Sequence, residues 1–189
     1  MNKRKIIAIT GSIAGGKSRV VRKIATRLGM DTYFASHSFR KLARDNNMDL
    51  ATFNAYVENN PDIDKVIDNA LSEYLKTHDN LVVDSRLAWH FAEGAFKVCI
   101  TVDLDVAAKR LARDIDNRNI EDKYETTDTA KIAIIKRQRY ERERYIKEYG
   151  IDVLDYSNYD LVIDYTNMST DDIADMIIEK YNNWLEDRD

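Results

Sequence analysis

Residues 11–18 read Gly11-Ser12-Ile13-Ala14-Gly15-Gly16-Lys17-Ser18, the spacing G-x-x-x-x-G-K-[ST]. In a loop of this kind the main-chain N–H groups of the glycine-rich turn point inward at bound phosphates. Lys17 reaches the β/γ oxygens, and the Ser18 hydroxyl takes a place on Mg²⁺. The helix that follows adds unpaired N–H groups and the positive end of its dipole. A glycine-rich turn that merely lets a strand and a helix pack closely has similar composition. The apolar run Ile6-Ile7-Ala8-Ile9 before the loop and the helix-forming stretch behind it supply the strand, loop and helix in the required order. That order favours nucleotide or phosphate binding.

Asp84, Ser85 and Arg86 directly follow a second short apolar run, Leu81-Val82-Val83. In a phosphate-loop enzyme a carboxylate here binds a Mg²⁺-coordinated water or orients the attacking hydroxyl, and otherwise it caps the next helix. Arg86 is placed to pair with phosphate, or else to form a surface ion pair. More arginines follow: Arg110 and Arg113, three apart, and Arg137 and Arg144, seven apart, each pair nearly aligned on a helix face. Together they suit the charge that develops on oxygens during phosphoryl transfer. Singly, residues 139–144 read as a solvated helix laced with charge pairs. Between the two groups, residues 117–128 hold few apolar anchors and are expected to lie in a lid, spanning 114–136, that closes over phosphates and excludes water.

These residues need a rigid frame. Apolar runs at 6–9, 81–83, 98–102 and 161–163, separated by stretches of helical periodicity, predict α/β layering with a largely parallel, doubly covered sheet. Asp31 to Phe34 is the candidate strand after the first helix, which Gly29 terminates. Ligands then gather at the carboxyl ends of the strands. Residues 36–77 read as a polar helical region over the cleft, with a turn at Asn59-Asn60-Pro61 and an apolar stripe of Ile63, Val66, Ile67, Leu71, Tyr74 and Leu75. Ser169-Thr170-Asp171-Asp172 predicts a capping box opening a C-terminal packing helix.

At 189 residues the chain suits one domain, 1–189, with one well-filled core. Its net charge of −4 argues against a general nucleic-acid binder, while local clusters leave small anionic substrates open. Cys99, the single cysteine, sits in an apolar run, which excludes a disulfide framework and a cysteine-built metal site. No apolar stretch approaches a membrane span. The expectation is a soluble cytoplasmic monomer.

The chain resembles the compact archaeal-type cytidylate kinases within the nucleoside monophosphate kinase family. The resemblance rests on the 11–18 loop, Phe39 to Ala43, Asn47 to Asn54, Asn60 to Asp64, Ile67-Asp68, Asp84 to Ala88, Arg110 to Asp114, Arg144 to Asp152 and Tyr159 to Ile163, in family order. It implies a P-loop three-layer α/β/α fold with five parallel strands, a helical monophosphate-binding region and a lid. The implied reaction transfers the γ-phosphoryl of ATP to CMP, and also to dCMP. By resemblance the loop holds ATP, Ser18 and Asp84 hold Mg²⁺, and Arg110 belongs to the ATP side. Arg40 and Arg86 hold the acceptor phosphate, Arg113, Arg137 and Arg144 serve transfer beside Lys17 and Asp84, and Asp64 and Asp68 stand with His37 on the acceptor side.

Three features depart from the family pattern. His37 stands where a carboxylate is common, and a neutral imidazole accepts from a base amino group through only one nitrogen; otherwise it is a surface residue at a helix start. Ala14 replaces a frequent glycine, and Lys65 and Asn69 occupy positions where basic residues are often seen. A kinase for another nucleoside monophosphate or small phosphorylated acceptor would share the phosphate machinery, and a non-catalytic nucleotide switch would need no second phosphate site.

Overall fold

In a computed structural model that describes residues 4–60, 62–113, 124 and 126–187, the chain is built on five parallel strands. These are β1 (Ile6–Gly11), β2 (Asp31–Phe34), β3 (Leu81–Asp84), β4 (Phe96–Thr101) and β5 (Leu161–Asp164), in the order β2-β3-β1-β4-β5. The helices are α1 (Lys17–Leu28), α2 (Ala35–Asp45), α3 (Leu50–Asn59), α4 (Asp62–Thr77), α5 (Ala88–Phe91), α6 (Leu104–Arg113), α7 (Thr127–Tyr149) and α8 (Thr170–Glu186).

The run Ile6-Ile7-Ala8-Ile9 is continuously apolar because β1 is central and covered on both faces, and all four residues are fully buried. Successive side chains alternate between two cores. Ile7 and Ile9 pack with Val20, Val21 and Ile24 of α1 and Ile173 and Ile177 of α8. Ile6 and Ala8 pack with Leu71 and Leu75 of α4, Leu87, Ala88 and, from α7, Tyr145. Each buried aliphatic contributes about 1.5–3 kcal/mol, so the three-layer sandwich is where stability is concentrated.

Two smaller clusters attach the working parts to that frame. Ile13 of the loop packs with Ala107, Ala108 and Leu111 of α6 and Ala130 and Ile134 of α7. Ala43, Phe53 and Val57, with Phe39, Leu42 and Ile63 around them, form a satellite core for α2–α4. The stripe of α4 is narrower than the sequence predicts. Ile67, Leu71 and Leu75 recur every fourth residue and are buried, whereas Val66 lies off that line and is 55% exposed.

Helix ends follow the sequence signals. Gly29 ends α1 in the left-handed region, and Ser169 and Asp172 cap α8 reciprocally. A second reciprocal cap, Thr126 with Thr129, opens α7 at Thr127. Residues 127–136, expected within the lid, are therefore regular helix; the expected lid residues 114–123 and 125, with Pro61, lie outside the described residues.

Strand order locates the crevice. From β1 the chain passes through α1 to β2 and β3 on one side, and later to β4 and β5 on the other. The reversal lies at the carboxyl end of β1, where open α/β sheets bind ligands. Ile9 and Phe34 are both in register with Asp84, so the phosphate loop, the Asp84-Ser85-Arg86 segment and the start of α2 emerge together.

Candidate active site: a phosphate loop beside paired arginines

Gly11 leaves β1 at φ 131°, a conformation few side chains adopt, and a Cβ there would overlap the Ile100 carbonyl. Ser12 fixes the next step: its N–H donates to Ile100 O at 2.8 Å and its hydroxyl accepts from Val102 N–H at 2.9 Å. Gly16 caps α1 at φ 76°, and a Cβ there would lie 3.1 Å from the Tyr165 ring. Ala14 also sits at positive φ, 54°, where a methyl-bearing residue is disfavoured. This gives a physical reason for glycine at that position, and Ala14 holds the loop shape at some strain.

Lys17 folds back over the loop and donates to Ser12 O at 2.7 Å and Gly11 O at 3.3 Å. By surface area it is only part-buried, yet protein atoms close around its ammonium. That desolvation, with Arg86 nearby, pushes its pKa down to about 8 against the opposing pull of Asp84 and Glu141. The Ser18 hydroxyl donates to Asp84 Oδ2 at 2.8 Å, which joins the start of α1 to the end of β3. A hydroxyl and a carboxylate at this spacing are hard oxygen donors that suit Mg²⁺, which keeps several waters and takes the rest of its shell from substrate phosphates. Among the described residues no cluster of three or more His, Cys, Asp or Glu forms a metal cage.

The arginines divide into separate settings. Arg86 Nε donates to Glu141 Oε2 at 2.7 Å, and Arg137 Nε donates to Glu141 Oε1 at 2.8 Å. Burial alone would raise the Glu141 pKa, but the two guanidiniums hold it down to about 2. A cavity of about 240 Å³ opens here, lined among others by Thr10, Gly11, Ser12, Arg86 and Glu141.

Arg144 has partners of its own, apart from the Arg137–Glu141 contact. Its side chain is 8% exposed; Nη1 donates to Asp68 Oδ2 at 2.8 Å and Nε lies 3.1 Å from Asp64 Oδ2 without hydrogen-bond alignment. The Tyr149 hydroxyl donates to the same Asp68 oxygen at 2.9 Å. Asp64 and Asp68, expected on the acceptor side, thus join α4 to α7. The seven-residue spacing aligns Arg137 and Arg144 only along the helix. The opposing surface differs, an arginine-carboxylate site near one turn and α4 near the other.

Arg110 also has a local setting. Its Nη2 donates to Tyr165 O and Thr166 O at 3.2 and 3.3 Å, and its guanidinium lies 4.7 Å from the centre of the Tyr165 ring, the ring that also abuts Gly16. Its Nη1 is buried without a hydrogen-bond partner among the described residues. Arg113 ends α6 in an exposed position. Arg40 and His37 are exposed on one face of α2, the His37 ring tilted against Phe34 at 4.9 Å. Cys99 is buried, and burial pushes its thiol up to about 11. Glu141 was masked in the sequence by its surroundings, because Arg139-Tyr140-Glu141-Arg142-Glu143-Arg144 has the composition of a solvated helix. Its spacing of four from Arg137 was the one local signal.

Residues 7–131 match the family described as AAA domain. The cytidylate kinase of Sulfolobus acidocaldarius is 36% identical over 175 residues, 91% of each chain. That of Thermoplasma volcanium is 32% identical over 92% of this chain and 90% of its own. That of Methanosarcina barkeri is 31% identical over 90% and 93%. Among solved structures, a shikimate kinase from Bacteroides thetaiotaomicron superposes with TM-score 0.63 at 14% identity, covering 92% of this chain and 96% of its own. A gluconokinase from Sinorhizobium meliloti gives 0.60 at 13%, covering 98% and 97%, and both likenesses speak for the fold alone. With a phosphate loop, an acidic strand end and curated relatives that match over nine-tenths of its length, the chain belongs to the cytidylate kinase family of P-loop kinases.

Proposed function

We infer that the protein transfers the γ-phosphoryl group of ATP to CMP, and also to dCMP, forming ADP and CDP. The observation that carries this reading is the meeting of two anion-binding groups in one crevice. The phosphate loop with its Ser18–Asp84 contact lies beside Arg86 and Arg137 gathered on Glu141. A nucleotide switch needs the first group and has no use for the second.

In this reading the loop amides of residues 11–16 and Lys17 hold the β- and γ-phosphates, and Arg110 with Tyr165 flanks the ATP base. Ser18 and Asp84 are the residues that would hold Mg²⁺, which supplies neutralisation of phosphate charge when bound. Arg86, with Arg40 from α2, holds the acceptor phosphate, and Arg137 spans acceptor and transferring group. Arg113 joins from the end of α6. Transfer is direct, with no covalent enzyme intermediate, because in-line positioning and charge stabilisation carry the reaction. His37 faces the acceptor base in place of the family's carboxylate, and Asp64, Asp68 and Arg144 hold the acceptor-side helices rather than the base. The protein acts as a cytoplasmic monomer; no described helix is long and apolar enough to cross a membrane.

Purified protein with MgATP is assayed against CMP, dCMP, UMP, AMP, GMP and dTMP, following ADP and diphosphate product together. CDP and dCDP formation is expected. Efficient conversion of a different monophosphate would overturn the acceptor assignment, and inactivity with all six would overturn the kinase reading in favour of a switch.

A further inference from the structure

Glu141 lies one helical turn after Arg137 on α7, and its side chain is 14% exposed against 61% for Arg137 and 20% for Arg86. Its two oxygens serve different arginines, and both arginines use Nε. Among the described residues neither guanidinium has another side-chain hydrogen-bond or ion-pair partner, so each keeps its terminal Nη1/Nη2 edge. That edge is the one that grips phosphate end-on with two parallel N–H bonds. A carboxylate competing with phosphate would be expected on those edges; here it takes the lateral Nε–H of each arginine.

We propose that Glu141 is the positioning residue of the transfer site, a bridging carboxylate that presents the free ends of Arg86 and Arg137 to one phosphate group and keeps its own bonds when that phosphate binds. This rests on the kinase reading above. Arg86 follows a core strand, whereas Arg137 projects from a largely exposed helix face and without a partner would sample many rotamers. Fixing a side chain before the ligand arrives removes an ordering cost that binding would otherwise carry. The carboxylate also lies between two cations that repel each other. Its depressed pKa keeps it charged at neutral pH, as the bridge requires. The cavity it lines is shared with Thr10, Gly11, Ser12 and Arg86, so the Arg86–Glu141 pair borders the start of the phosphate loop.

Two experiments test this. In the first, ¹⁵N NMR follows the arginine Nε–H signals while inorganic phosphate is titrated into MgADP-saturated protein, a readout that needs no turnover and so stands even if the substrate panel fails. The Arg86 and Arg137 Nε–H signals are expected to be protected from exchange throughout, and to lose protection in Glu141→Gln. Loss of protection in the wild type as phosphate binds, or its absence beforehand, would overturn the proposal. In the second, Glu141→Gln is compared in wild-type and Arg137→Ala backgrounds. A roughly 10- to 100-fold fall in kcat/KM for the monophosphate is expected, of the size a misplaced group costs, because both arginines must then be ordered as phosphate binds. In the Arg137→Ala background the fall should be smaller, leaving only the part carried through Arg86, since residues acting through one another are not additive. Equal falls in both backgrounds, or an unchanged kcat/KM for the monophosphate, would contradict it.

Discussion

The two sides of the crevice are made rigid by different means. On the phosphate-loop side, shape comes from the main chain: Gly11 and Gly16 in conformations closed to most residues, Ser12 bonded to β4 and its neighbour, and Ile13 anchored in a small core. On the side proposed above for the acceptor, shape comes from paired charges: Arg86 and Arg137 on Glu141, Arg144 on Asp64 and Asp68, Lys65 on Glu148. A main-chain cradle presents its N–H groups whatever the neighbouring side chains do. A charge-paired pocket depends on every carboxylate in it, and its geometry is open to change by single substitutions.

The strongest way to break this contrast is Asp68→Ala. It leaves Arg144 Nη1 and the Tyr149 hydroxyl without their shared acceptor in a buried setting. Breaking a buried pair by removing one partner costs about 3–5 kcal/mol. Urea unfolding should show a loss of that order and kinetics a raised KM for the monophosphate, with MgATP affinity within about two-fold of wild type. An equal loss of MgATP affinity would mean that the two sides are not independently built. Lys17→Ala acts on the other side: with the far-UV spectrum intact, turnover should fall by roughly 100-fold or more, the size of a single electrostatic stabiliser. Near-normal turnover at saturating MgATP would remove the loop from the chemistry.

Ala14→Gly sharpens the contrast with the smallest effect. Relief of the methyl at φ 54° is offset by glycine's greater unfolded freedom, so a net gain of about 1 kcal/mol or less is expected in thermal unfolding, with acceptor kinetics unchanged. A clear destabilisation would show that the Ala14 methyl makes contacts that outweigh the strain.

The same contrast decides what could be read from the sequence. The loop, the strands and the caps of α1 and α8 are local patterns, in which a glycine, an apolar run or a Ser-x-x-Asp box states its own geometry. The charge-paired side is not local. Glu141 meets Arg86 across 55 positions and Arg144 meets Asp68 across 76, and nothing in the spacing of Arg137 and Arg144 says that one ends beside Arg86 and the other beneath α4. The arginines were recognised as a group, and their division between the Glu141 bridge and the Asp64–Asp68 latch required the fold. His37 was singled out for its type, and the structure places it exposed on α2 against Phe34.

The central claim is that Arg86 belongs to the acceptor side of a two-sided kinase cleft, and paired titrations of wild type and Arg86→Ala by calorimetry test it most directly. Loss of a charge-assisted phosphate contact costs about 2–5 kcal/mol, so CMP affinity should fall by roughly 30-fold or more while MgATP affinity stays within about two-fold. Equal weakening of CMP and MgATP, or weakening of MgATP alone, would contradict the account.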